Sequence, residues 1–229
     1  MSQTNESIDD LKNALQAANA RVERAGKALA ANFKTTGSEW KEYEVANREQ
    51  LAAERTLAAA QGGEYAIPVD FPAQWDTGAP LPYLLKNDDH TFVTFFLKEH
   101  DPDWDGSYVT IRNPSQQSPS SIAVVEFKRC IIAKMGSPND EVHEGHPWAG
   151  RGLDSYTAQE VVNSRWIAEI EAINSVHRCY APDTWKQLHH YVLWFHDSTF
   201  ECIAESFQVA FYSKSLPEVL AEICTQLLC

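Results

Sequence analysis

The sequence predicts an α+β protein: an N-terminal antiparallel helical hairpin followed by an antiparallel or mixed sheet with helices on one face. Three observations carry that expectation. Apolar residues in the first sixty positions recur at alternating steps of four and three, the spacing of one helix face. Composition then changes at Gly62-Gly63: residues 1–61 hold 8 basic and 9 acidic residues with no proline or histidine, whereas all 11 prolines and all 8 histidines follow. Beyond that point, stretches rich in Val, Ile, Phe, Tyr and Thr lack the regular alternation with helices that a doubly wound sheet requires. The expected domains are therefore a helical hairpin over 1–63 and an α+β domain over 64–229.

The first helix starts at a capping box of the shorter acid, Ser7 with Asp10, and its seam runs through Leu11, Leu15, Ala18, Val22, Ala25 and Leu29. Thr35-Thr36-Gly37-Ser38 interrupts the period, since glycine ends one helix and serine caps the next. A second seam follows through Tyr43, Ala46, Gln50, Ala53, Leu57 and Ala60. Alanine dominates both seams and buries little surface at roughly 25 cal/mol per Å², so the hairpin needs something else to lie against, either its own second domain or another copy.

In the second part, Thr91 to Leu97, Tyr108 to Ile111, Ser121 to Ala133, Tyr191 to His196, Thr199 to Ala204 and Phe207 to Tyr212 read as strands. Ala158 to Val176 reads as a helix capped by Ser155 or Thr157, and Leu216 to Leu228 as a last helix with Pro217 in its first turn. Along Tyr191 to His196 both faces are apolar, which predicts a central strand. Turn chemistry at Asp197-Ser198 predicts a reversal that sets Thr199 opposite His196 and returns Glu201 along the neighbouring strand.

Charge and composition exclude several classes. The chain of 229 residues carries 19 Lys+Arg against 32 Asp+Glu, a net charge of -13, and phosphate repels such a chain, so no nucleic-acid partner is expected. It has no long apolar run, so no membrane partner is expected either. The polar, acidic start from Met1 to Asp10 lacks the pattern of a secretory signal, which predicts a cytoplasmic protein. Five cysteines, odd in number, widely spaced and without a C-x-x-C pair, predict reduced thiols rather than a disulfide framework or a cysteine zinc site. Cysteine at the last position does not fit prenylation.

No phosphate-binding loop, dinucleotide turn, nucleophile elbow or H-E-x-x-H helix occurs. Two polar constellations remain. The loop Gly136 to Leu153, GSPNDEVHEGHPWAGRGL, sets His143 and His146 three apart beside Asp140, Glu141 and Glu144, with Arg151 in a Gly-Arg-Gly context suited to an anion. The second is the turn with His196, Asp197 and Glu201. Two neutral imidazoles and a carboxylate suit zinc or iron(II), so His143, His146, His196 and Glu201 are the candidate metal ligands, and Glu144, Arg151 and Asp197 the candidate catalytic groups. If the strand ending at Met135 neighbours the strand ending at Trp194, loop and turn meet at one rim, and His143 or His146 is expected within a side-chain length of His196, Asp197 or Glu201. Against it stand simpler readings: solvated histidines, and a turn whose Asp and Ser bond their own backbone. Cys130 and Cys202 lack a nucleophile's flanking signature, and the tryptophans, including Trp104, read as packing.

Two functions from different classes are thus expected. The first is a non-catalytic binding or interaction protein, with the 1–61 hairpin for partner or self-contact. The alternative is a metal-dependent enzyme of hydrolase or iron(II) oxygenase type.

Overall fold

A computed structural model describes residues 7–31, 37–99 and 113–228. The Thr35-Thr36 interruption, Trp104 and the strand expected at Tyr108 to Ile111 lie outside them. The described chain divides into two compact units: residues up to 67 with 144–154 and 161–164, and residues 68–143, 155–160 and 165 onward. No helix among the described residues is long and apolar enough to cross a membrane.

The first unit is built on the expected hairpin of α1 (Ile8–Ala31) and α2 (Ser38–Ala60), which pack against each other. The capping box forms: Asp10 N donates to Ser7 Oγ at 3.1 Å and Ser7 N donates to Asp10 Oδ2 at 3.2 Å. Arg21 of α1 ties the helices together through Glu42 at 2.9 Å and Glu49. Gly37, with φ 33°, precedes α2, and Gly62, with φ 66°, follows it, both in the left-handed region that glycine enters without a Cβ penalty.

On α2 the buried positions are Ala46, Leu51, Glu54 and Ala58, of which the seam through Tyr43, Ala46 and Gln50 includes Ala46 but not the other three. The later segment 144–154 supplies the reason. Gly152 N donates to Glu54 Oε2 at 2.9 Å, and Arg55 donates to Gly152 O at 2.8 Å and to Ala66 O at 2.7 Å. Ala66, in β1 (Tyr65–Pro68), in turn donates its N–H to Arg151 O at 2.9 Å. The Gly-Arg-Gly segment thus straps α2 to β1, and Glu54 is a buried carboxylate satisfied by the strap's backbone.

The second unit holds β2 (Tyr83–Lys86), β3 (Thr91–Phe96), β4 (Ser120–Lys128), β5 (Ile132–Gly136), most of β6 (Ala158–Val162), α3 (Arg165–Asn174), α4 (Pro182–Trp185), β7 (His189–Trp194), β8 (Thr199–Ala204), β9 (Ser206–Lys214) and α5 (Leu216–Gln226). The α+β class holds, with the strands shared between two sheets. One has the order β2-β3-β4-β9, and in this unit the other runs β6-β7-β8-β5. All their registers are antiparallel.

Period-two alternation explains the layers. Val93, Phe95, Ala123, Val125 and Phe127 of the first sheet pack with Tyr191, Leu193, Phe195, Phe200 and Cys202 of the second in one core. The opposite face of the first sheet, with Phe92, Phe96, Ile122 and Val124, packs on Leu216, Val219 and Ile223 of α5. α3 lies along the outer face of β7, where the Trp166 ring meets the edge of His190. β7 is central, as its two apolar faces predict, and α5 starts at a capping box of Ser215 with Glu218.

Three expectations change. The single strand from Ser121 to Ala133 is two, because Arg129 adopts φ 48° and the chain leaves one sheet there to enter the other. The helix expected from Ala158 begins only at Arg165: residues 158–160 pair with β7, and Asn163 at φ 57° separates strand from helix. The reversal after β7 sets Thr199 opposite Trp194, not His196, because Phe195 N bonds Ser198 O and leaves His196-Asp197 as the turn.

Gly152 is the tightest point of the strap. At φ 83°, a Cβ there would stand 2.4 Å from Arg55 Cγ and 2.7 Å from Ala66 O. Gly152→Ala is expected to cost at least about 2 kcal/mol, read as a lower urea midpoint; an unchanged midpoint would show that the strap does not hold α2.

Candidate functional site

β5 and the β7-β8 turn end at the same rim of their sheet, because Gly136 pairs with Thr199 and Thr199 with Trp194. β5 and β7 are not the neighbours on which the meeting of loop and turn was conditioned: β8 lies between them. The chain leaving β5 nevertheless reaches the turn. Thr199 Oγ1 donates to Pro138 O at 2.9 Å, and Asp140 N donates to His196 O at 3.1 Å. A 3₁₀ turn over Asp140–Gly145 begins there.

The side chain that joins loop to turn is Asp140. Its Oδ2 accepts from His196 Nδ1 at 3.0 Å and from the Tyr156 hydroxyl, and that hydroxyl stands 3.1 Å from the same Nδ1. Tyr156 is held with φ 60°, a conformation that a bulky residue adopts only when its surroundings impose it; its N–H donates to Trp194 O at 3.1 Å.

The three groups set one another's charge. Burial pushes the Asp140 carboxyl up, but the bonds from Tyr156 and His196 outweigh it and hold the group below its ordinary range. The bond to Asp140 raises His196. Burial, and then Asp140, raise the Tyr156 phenol, so it stays neutral. The arrangement is an oriented imidazole: Nδ1–H points at a carboxylate, and Nε2 stands 3.9 Å from Asp197 Oδ1, on a side chain 39% exposed. Such an imidazole can give or take a proton at Nε2.

The other candidates are distributed. His143 packs its ring over Trp194, with centroids 5.3 Å apart. His146 belongs to the first unit, where its Nδ1 accepts from Trp148 N at 3.3 Å. Glu144 is exposed, and Arg151 is part of the strap. Glu201, nearly buried, lies between His190 Nε2 and Lys134 Nζ, each at 3.1 Å. Burial pushes its carboxyl up, and the bonds from His190 and the charge of Lys134 more than reverse that. Among the described residues no group of three or more His, Cys, Asp or Glu side chains could hold a metal ion. Tyr156 is the member that sequence reasoning missed. Nothing in its spacing marks it, because its role rests on a backbone conformation fixed by β7.

Tyr156 also lines a cleft of about 360 Å³ in the second unit. Phe71, Trp75 and Val69 give it apolar walls, with Gln74, Thr77 and Thr157 among its polar groups, and among the described residues Lys98 is the one charged member of the lining. Its walls are pinned. Val69 N donates to Ala158 O at 3.1 Å, Lys98 N to Gln74 O at 2.9 Å, and Trp75 Nε1 to Trp194 O at 3.2 Å.

No protein-family model, curated protein or solved structure matches the chain.

The pH dependence of the cluster follows from the two directions. With His196 raised, its contribution to stability is fully present below the unfolded imidazole value and is lost as pH rises through the folded one. With Asp140 lowered, its contribution is present above the unfolded carboxylate value and is lost as pH falls through the folded one. Exposure of the imidazole keeps the energy small. In an NMR titration His196 is expected to show a midpoint above 6.5 that Asp140→Asn brings down; a midpoint unmoved by that substitution would dismiss the pairing.

Proposed function

We propose that the protein is a binding protein whose second unit takes a compact ligand with an apolar body and an anionic group. The observation that carries this reading is the pinned cleft beside Tyr156, apolar in its walls and with Lys98 as the one charge among its described residues. Its volume lies in the range of small-molecule sites, and a cleft whose walls are already bonded loses little freedom when it is filled. Tyr156 supports the same reading. Its hydroxyl is engaged by Asp140, so the ring serves as a fixed wall. Anilinonaphthalene sulfonate, an aromatic anion, is the probe: saturable binding at one site per chain is expected, weakened about fivefold, on the order of 1 kcal/mol, by Lys98→Glu and abolished by Thr77→Trp. Binding indifferent to both substitutions would refute the cleft as the site.

The hairpin supports a second reading, contact with another copy of the chain, because Trp40 and Val45 of α2 stay 53% and 37% exposed, and exposed apolar surface favours association. Sedimentation velocity is expected to show a concentration-dependent dimer that Trp40→Glu dissociates; a monomer at every concentration removes self-contact from the reading.

A further inference from the structure

Cys130 and Cys202 are far apart in the chain, and each by itself reads as a core residue. The passage from β4 to β5 brings them together. Glu205 N donates to Lys128 O at 3.0 Å on one side of Cys130, and Ile131 N donates to Ile203 O at 2.9 Å on the other. Ala133 then pairs with Cys202. Pinned in this way at the start of an edge strand, Cys130 enters the same core as Cys202, close enough that each thiol shifts the other's proton affinity, while the Cys130 thiol itself donates to Ile132 O at 3.4 Å. Both are free.

We propose that Cys130 and Cys202 form a redox-active dithiol that a hydroperoxide oxidises to a disulfide within the second unit. The two sulfurs have different surroundings, which assigns their roles. Cys130 retains 9% exposure, whereas Cys202 has none, so the oxidant meets Cys130. Lys86 Nζ lies 3.5 Å from Cys130 O and brings positive charge to that side. Cys202, opposed by burial and helped by Lys86, lowers the Cys130 thiol to about 7. Burial pushes Cys202 well up. Cys130 is therefore the thiolate that attacks, and Cys202 the thiol that resolves.

The electrons balance in two steps. The Cys130 sulfur attacks one peroxide oxygen, the S–O bond forms as the O–O bond breaks, and the leaving oxygen takes a proton to become water or an alcohol. Cys202 then attacks the Cys130 sulfenic acid; the S–S bond forms, the S–O bond breaks, and the departing hydroxide takes the Cys202 proton as water. Two thiols are oxidised and one hydroperoxide is reduced. Because a disulfide holds its sulfurs at about 2.05 Å, inside the contact distance of two separate thiols, oxidation draws the start of β5 onto β8.

The test uses the full chain with Cys179, Cys224 and Cys229 replaced by serine, so that two thiols remain. After hydrogen peroxide, alkylation in urea and intact-mass measurement are expected to show loss of both thiols and of the mass of two hydrogen atoms, with a peptide linking Cys130 to Cys202 and full reversal by dithiothreitol. Adding Cys202→Ser should leave a Cys130 sulfenic acid that dimedone traps, and Cys130→Ser should end the reaction. The parent alone decides if either variant fails to fold: two thiols surviving peroxide in the native chain, or a link that forms only in urea, would overturn the proposal.

Discussion

A left-handed residue at Arg129 turns the chain out of one sheet and into the other, and the meeting of loop and turn at the sheet's rim depends on that crossing. β4 pairs along its whole length with β9, and β5 then pairs with β8 in a different layer. The crossing carries Cys130 into the core beside Cys202 and delivers the loop after Gly136 to the rim where β7 and β8 reverse. Had β4 simply continued, as its composition allows, Asp140 would have no route to His196. The core between the sheets makes the crossing worthwhile, since full burial of a side chain such as Phe95 or Phe200 contributes about 1.5–3 kcal/mol.

Buried charge is handled the same way in both units. Glu54 takes a backbone N–H from the strap, Glu201 lies between His190 and Lys134, and Asp140 collects Tyr156 and His196. At Asp140 and Glu201 burial pushes the carboxyl up, and donors fixed by the fold more than reverse it. A chain of net charge -13 thereby places selected carboxylates inside without an uncompensated charge. Their consequences differ with exposure. Glu54 and Glu201 are closed off and hold structure, whereas the Asp140 cluster ends in an imidazole open to solvent.

The cleft and the cluster share Tyr156 but use different parts of it. Tyr156 is part of the cleft lining, and its hydroxyl bonds Asp140. An occupant of the proposed site that touches Tyr156 would act on the residue that bonds Asp140, which links the cleft to the His196 imidazole at the rim. That link runs through a residue in a strained backbone conformation, and strain of this kind persists only where surrounding bonds over-determine it.

Local pattern determined much of this protein. Alternating steps of four and three, with Ser7 and Asp10 at the start, specify the hairpin, because a helix places those residues on one face whatever lies beyond it. Apolar residues on both faces of Tyr191 to Trp194 specify a central strand for the same kind of reason, and Ser215-Leu216-Pro217-Glu218 specifies the start of the last helix. The loop and the turn were also legible as the polar places. What joins them was not. Asp140 and His196 lie 56 residues apart, and Tyr156 and His196 lie 40 apart, so no periodicity relates them. Residues 158–160 had helical spacing and became a strand because β7 offered a ladder of backbone bonds, and the extra buried stripe on α2 exists because a distant Gly-Arg-Gly segment covers it. Single dihedrals at Arg129, Tyr156 and Asn163 completed the arrangement. Those angles cost energy locally and are held only by strand pairing and packing, interactions that exist once the whole chain has folded.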